Sequence, residues 1–314
     1  ADFYTRWIGG RALLQDGLNP YSHEVTLLSQ QGIYGRPALP SEDQVAFAYP
    51  PYILLVMWPF LLVNFSWAQA GWFALNLLIL SICLVYTFHK LPIWLPISFI
   101  FFYPPALGLI LGNFSILIAS IWLLLFRLLF ISKSTPSRRD QWVIGALLAF
   151  STIKPQLTAF LILFSLFYAL RYRLKLVTIS FLVTILLLLI FSWIIIPTWL
   201  TDWIQAISAY SQYTQTDQPL ITLLKWIIPG IQIRQGLITA IILFPTLLSL
   251  ILAFFNKFSW SPIFLWASAV TYLIHPNGMA YEQIIFYLPF AAWTFTHFRQ
   301  QKTITVLIWA AACL

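Results

Sequence analysis

Charge is what this chain has least of. Asp, Glu, Lys and Arg make up 8% of its 314 residues, against about 25% in an ordinary soluble domain. That shortage excludes a soluble globular fold and a charge-rich disordered chain. Cysteine is scarce too. Cys83 and Cys313 are the two present, both in apolar runs, so there is no disulfide framework and no zinc-type spacing. No Walker loop, dinucleotide fingerprint, zincin motif or pair of carboxylates at metal spacing occurs, which disfavours an ATP-driven pump. No internal repeat or low-complexity tract is present.

Apolar sequence fills the space that charge leaves. Hydrophobic residues are 61% of the chain, with 15 Trp, 14 Tyr and 27 Phe. Only helices and closed barrels satisfy every backbone group in lipid, and these runs are too long and continuous for barrel strands. The fold class is therefore an all-α polytopic membrane protein. Spans are expected near 68–88, 92–111, 115–131, 142–154, 156–170, 176–196, 236–255, 261–275, 283–298 and 303–314. The segments 142–154 and 156–170 are short, and read as a broken pair meeting at Lys154-Pro155. The run 52–63 is too short to cross upright and reads as a surface helix. The expectation is that a further span precedes residue 1 and that the last span continues past 314, giving about eleven spans.

The formal charge of +8 has a membrane explanation and need not mean nucleic acid. Lys90, the stretch Arg127 to Arg139, the stretch Arg171 to Lys175, Lys257, Arg299 and Lys302 each follow every second span, so they share one face. That face holds 11 of the 17 basic residues and, of the nine acids, only Asp140. Positive loops lie inside. The opposite, extracytoplasmic face then carries 1–67, the Gly112-Asn113 turn, Lys154-Pro155, the connector 197–235 and His275-Pro276-Asn277. The expected organisation is an extracytoplasmic loop with juxtamembrane helices over 1–67 and a helical bundle over 68–314.

Within 1–67, residues Phe3 to Asp16 read as a helix. Phe3, Trp7 and Leu14 with Gly10 form an apolar stripe, Asp2 fits the N-cap, and Gly17 fits the position past the C-terminus. Trp7 is expected to anchor this helix in the membrane interface. Leu18-Asn19-Pro20-Tyr21 reads as a turn.

Few residues here can do chemistry, so each has weight. Asp2 fits two compatible roles: a helix cap and a general base at the membrane surface. Lys154 reads as a snorkelling lysine or as a cation for a phosphate, standing apart from the basic loops. His275 and Glu282 lie in a polar island between two apolar spans; the alternatives are a simple turn and a site for proton or charge transfer. Arg6 and Arg11 suit phosphate or lipid headgroups. Asn64-Phe65-Ser66 and Asn113-Phe114-Ser115 match the glycan-acceptor pattern, though both hug the membrane and such matches arise by chance.

Several short elements occur in a telling order: Asp2-Phe3-Tyr4, Gly17-Leu18-Asn19-Pro20-Tyr21, Phe47-Ala48-Tyr49-Pro50-Pro51, Leu111-Gly112-Asn113, and Lys154-Pro155 before a span ending in Arg171-Tyr172-Arg173. Across nearly the whole chain this resembles glycosyltransferase family 87, polytopic enzymes of the GT-C superfamily. Asn-Pro-Tyr and Tyr-Pro-Pro are the most specific parts. The resemblance implies a GT-C-like helical bundle that moves a hexose, mannose or a related sugar, from a polyprenyl-phosphate donor to a lipid or glycan acceptor. It implies inversion in a single displacement, no cofactor beyond the lipid-linked donor, and a plasma-membrane protein with its site facing outside. Asp2 would be the catalytic base in the first outer loop. GT-C members often carry paired acids there, whereas Phe3 follows Asp2, so the base is single. Lys154, His275 and Arg6 would meet the donor phosphate, and Asn19, Tyr21, Tyr49 and Glu282 would line the substrate loop. Two other classes fit the composition: a lipid or sugar transporter or flippase, and a non-catalytic membrane subunit.

Overall fold

The computed structural model describes residues 2–132, 135–213, 217–230, 234–255, 259–275 and 278–297. The expected span 303–314, the turn Pro276-Asn277, Cys313 and the basic residues Lys133, Lys257, Arg299 and Lys302 lie outside the described residues. Among the described residues the chain is helical, with no strand.

The helices are α1 (Asp2–Arg11), α2 (His23–Tyr34), α3 (Leu54–Leu61), α4 (Phe65–Thr87), α5 (Trp94–Ser98), α6 (Tyr103–Leu111), α7 (Ser115–Phe126), α8 (Arg138–Phe150), α9 (Pro155–Arg171), α10 (Lys175–Ile195), α11 (Trp199–Tyr213), α12 (Pro219–Ile227), α13 (Gln235–Phe254), α14 (Trp260–Leu273) and α15 (Ile284–His297). Among the described residues, three helical segments are long and apolar enough to cross a membrane: Phe65–Thr87, Lys175–Ile195 and Gly236–Phe254. Leu182, Leu186, Leu187, Ile190 and Ile194 of α10 are exposed, as lipid-facing side chains would be. Ser115–Ile131 and Pro155–Arg171 are apolar but shorter.

The expected span 92–111 is not one helix. It divides into α5, which contains Pro96, a 3-10 turn at Phe99–Phe101 and α6, and the backbone becomes extended at Phe102, just before Tyr103-Pro104-Pro105 opens α6. The expected break at Lys154-Pro155 is present. α8 ends at Phe150, a 3-10 turn covers Ser151–Ile153, and α9 starts with Pro155 at its first position. The apolar run after Tyr49 forms only Pro51–Leu61. At about 1.5 Å per residue it falls well short of a bilayer core.

The chain divides into two compact units. One comprises Ala1–Leu77, Leu109–Asn113 and Ile185–Gln215; the other comprises Leu78–Gly108, Phe114–Thr184 and Thr216–Leu314.

In the first unit α1 packs on α2 and α3. Its apolar side is covered by protein, which corrects the expected interfacial anchor. Trp7 is buried, its Nε1 donates to the Phe60 carbonyl at 3.1 Å, and its ring meets Phe65 at 5.3 Å. Leu14, by contrast, is exposed. The reason is a change of period: Ala12–Asp16 is a π turn, and widening the helix there rotates Leu14 off the stripe. Gly17 follows at φ 67° and closes the helix as expected.

Phe3 stacks on Trp72 with ring centroids 5.4 Å apart, and Trp72 Nε1 donates to the Gly112 carbonyl at 2.9 Å. Gly112 has φ +65°, and a Cβ there would sit 2.8 Å from Phe3 Cβ. Only glycine lets this turn approach α1 so closely.

In the second unit α7 packs on α15, and α14 packs on α9 and α13. Phe264 on α14 is fully buried among Trp122, Phe126, Phe130 and Phe164, with centroids 5.1–5.7 Å away.

The Gly112 geometry generates a stability prediction. Gly112→Ala should cost about 1–3 kcal/mol, from left-handed strain plus displacement of Phe3. A thermal melt of the detergent-extracted protein checks it; an unchanged Tm would mean that the turn relaxes freely.

Candidate active site

Among the described residues, the sequence candidates gather in two polar clusters, one in each unit. The first surrounds Asp2. This residue lies in the first turn of α1, where the helix dipole favours a negative charge. Its Oδ2 accepts from Asn113 Nδ2 at 2.5 Å. Asn113 is only 2% exposed, so the acceptor motif beginning there cannot carry a glycan. Its amide orients a carboxylate instead.

Arg6 sits one turn after Asp2 on α1. Its guanidinium donates to the Asp2 carbonyl, and Nη2 donates to the Tyr49 hydroxyl at 2.9 Å. The same guanidinium lies 4.4 Å from the Tyr49 ring centroid. Arg6 is buried, so in this structure it braces the loop. Arg11 is likewise committed to the protein: it donates to the Val63 carbonyl at 2.9 Å and to Gln15 at 3.0 Å.

Tyr21 donates its hydroxyl to the Tyr49 carbonyl. Burial, then the negative charge of Asp202, then Tyr52, push that hydroxyl above its ordinary pKa, so it stays a donor. Asn19 Oδ1 accepts from the Tyr21 backbone N–H at 3.0 Å, which makes the expected turn. Asp2, Arg6, Tyr21, Tyr49 and Asn19 are thus one connected set.

The second cluster surrounds Lys154. The helix break leaves this residue with φ −123° and ψ 74°, and Thr158 Oγ1 donates to the Lys154 carbonyl at 3.0 Å. The side chain is 3% exposed. Its Nζ donates to Glu282 Oε1 at 2.7 Å and to Ser115 Oγ at 2.8 Å, and lies 5.6 Å from the Tyr281 ring centroid. Glu282 Oε2 accepts from the Met279 N–H at 3.1 Å and lies 3.7 Å from His275 Nδ1. The structure therefore unites Lys154, His275 and Glu282 and gives the apparently isolated lysine a carboxylate partner. Glu282 stands with Lys154 and His275 in this cluster.

Sequence reasoning missed three partners. Asn113 was visible as a turn and Ser115 as the end of a glycan motif, but neither carried a signal for its contact. Asp202 lies in the connector 197–235, in which no residue was singled out. Among the described residues no group of three or more His, Cys, Asp or Glu gathers as metal ligands.

The pairing changes what a mutation at 154 should do. From sequence, Lys154→Ala is expected to weaken donor use far more than it lowers stability. In the structure it strands a buried Glu282 carboxylate, which costs about 3–5 kcal/mol. Lys154→Met with Glu282→Gln removes both charges and should recover most of that loss. Chemical or thermal unfolding of the three proteins checks this, and equal stability of Lys154→Ala and wild type would contradict a buried pair.

No curated protein and no solved structure matches the chain. The family model described as Glycosyltransferase family 87 matches residues 47–255. This is narrower than the near-complete resemblance read from the motifs. It includes Tyr49, Asn113, Lys154 and Asp202 and stops short of Asp2 on one side and Glu282 on the other. A helical membrane protein matched over this length is placed by it: the chain belongs to glycosyltransferase family 87.

Proposed function

We propose that this membrane glycosyltransferase moves a hexose, mannose, from a polyprenyl-phosphate donor to a lipid or glycan acceptor at the extracytoplasmic face of the plasma membrane, with inversion. The observation that carries the reading is the Asp2 carboxylate, oriented by Asn113 in the first turn of α1. Also in support, the sequence has no nucleotide-binding motif, and a lipid-linked donor needs none.

The acceptor hydroxyl attacks the anomeric carbon. Its proton passes to the Asp2 carboxylate, and the bond from that carbon to the phosphate oxygen breaks. The electron pair leaves on the phosphate. One displacement inverts the centre. The leaving group carries negative charge, and Lys154 with His275 is assigned to it. Glu282 holds the Lys154 ammonium through one carboxylate oxygen, and His275 Nδ1 lies 3.7 Å from the other. Arg6 moves in this reading from phosphate contact to support of the loop, because its guanidinium is already bound to Tyr49 and the Asp2 carbonyl. Asn19, Tyr21 and Tyr49 shape the substrate loop. The roles of Asp2 and of the Lys154 trio are separate claims, each argued from its own cluster.

A helix broken at a buried ion pair also suits a transporter. Membership of a glycosyltransferase family favours transfer.

The test is single-turnover transfer of labelled sugar from polyprenyl-phospho-mannose to a panel of lipid and glycan acceptors. Asp2→Asn keeps the helix start and an acceptor for Asn113 while removing the base. Transfer should fall roughly 10²–10⁴-fold, the usual worth of a positioned general base, with an unchanged melting curve. Asp2→Glu should rescue little, because the extra methylene displaces the carboxylate. Near-normal transfer by Asp2→Asn would remove Asp2 from the mechanism.

A further inference from the structure

Asp202 lies in the first turn of α11, far in sequence from Asp2, and no motif drew attention to it. Its Oδ2 accepts from Thr198 Oγ1 at 2.7 Å and from Asn19 Nδ2 at 2.7 Å. Both ends of the Asn19 amide are therefore used. The nitrogen reaches Asp202, and the oxygen closes the turn onto the Tyr21 N–H. Neither aspartate nor leucine at 19 could make both bonds, which gives the Asn-Pro-Tyr turn a physical reason.

The connection continues. The Tyr21 hydroxyl donates to the Tyr49 carbonyl, and the Tyr49 phenol accepts from Arg6, whose guanidinium also covers the Tyr49 ring. Arg6 in turn donates to the Asp2 carbonyl. A second tie from α11 reaches the same segment: Trp203 Nε1 donates to the carbonyl of Ala48, the residue before Tyr49, at 3.3 Å. All of these residues belong to the first unit.

We propose that Asp202 is a positioning residue for Asp2, acting through Asn19, Tyr21, Tyr49 and Arg6. The inference rests on the reading of Asp2 as the base. Asp202 touches no reacting atom. It fixes the Asn-Pro-Tyr turn, the turn fixes Tyr49, and Tyr49 with Arg6 fixes the first turn of α1. A misplacement of about 1 Å at a catalytic group costs on the order of 10²-fold in rate.

The test measures transfer from polyprenyl-phospho-mannose by Asp202→Ala, Asn19→Asp and the pair Asn19→Asp with Asp202→Asn, each with and without Asp2→Asn. Asp202→Ala removes the acceptor. Asn19→Asp sets two carboxylates against each other. The pair variant restores one donor and one acceptor with their places exchanged. With Asp2 intact, each single variant should lower kcat roughly 10- to 100-fold, a larger effect than on KM for donor and acceptor, in protein that still melts cooperatively. The pair variant should regain most of the rate. In the Asp2→Asn background the same changes should cost nothing further, since there is no base left to position.

Wild-type kcat in both single variants would overturn the proposal, as would losses that multiply with Asp2→Asn. Should Asp202→Ala fail to fold, Asn19→Asp and its rescue by Asp202→Asn carry the test. Wild-type transfer by Asp2→Asn alone overturns the base reading itself, and this role with it. An inactive Asp2→Asn beside fully active Asn19 and Asp202 variants overturns only the positioning.

Discussion

An ionised group without a partner is costly in an apolar interior, and the polar geometry of this chain follows from that constraint. Lys154 meets Glu282 at 2.7 Å. Arg6 lies on Tyr49 and binds its hydroxyl. Arg127 donates to the Thr87 carbonyl at 3.0 Å, and Arg171 to the Phe254 carbonyl at 2.8 Å. With so few charges in the chain, each such contact ties together segments distant in sequence. The partners also fix where each group points. A lysine held by a carboxylate cannot drift to the membrane surface, and a carboxylate held by an amide points in one direction.

Small structural devices bring those partners into place. Gly112 turns the chain so that Asn113 meets Asp2. Pro155 begins α9 after a 3-10 turn, and the resulting break sets the Lys154 side chain against Ser115 and Glu282. The stretch Gly112-Asn113-Phe114-Ser115 supplies one residue to each cluster, and so carries more of the polar architecture than its length suggests. Within each cluster an ionised side chain is held in one direction by its neighbours.

Much of the helical content was legible in the sequence because it rests on composition. Long apolar runs must be helices if they lie in lipid, and α4, α10 and α13 fall close to their expected bounds. The Lys154-Pro155 break was legible from proline chemistry, and Gly17 from the left-handed position it occupies. The division of 92–111 was not, although Pro104-Pro105 marked where α6 begins. Leu14 was misplaced because a 3.6-residue period was carried through a π turn. Of the site, the residues that bear charge could be named, since they are so few. Their partners could not. Asn113 and Asp2 are 111 positions apart, and Lys154 and Glu282 are 128 apart. Pairing over such distances is set by how helices pack, and one sequence carries no periodic trace of it.

The central claim is a single displacement at the anomeric carbon, driven by one carboxylate. The most direct measurement is the anomeric configuration of the product, read from the one-bond carbon–hydrogen coupling at that carbon by NMR after transfer from a β-linked polyprenyl-phospho-mannose. The account predicts an α-linked mannoside. A β-linked product would mean retention, by two displacements or by attack on the same face as the leaving phosphate, and would contradict it.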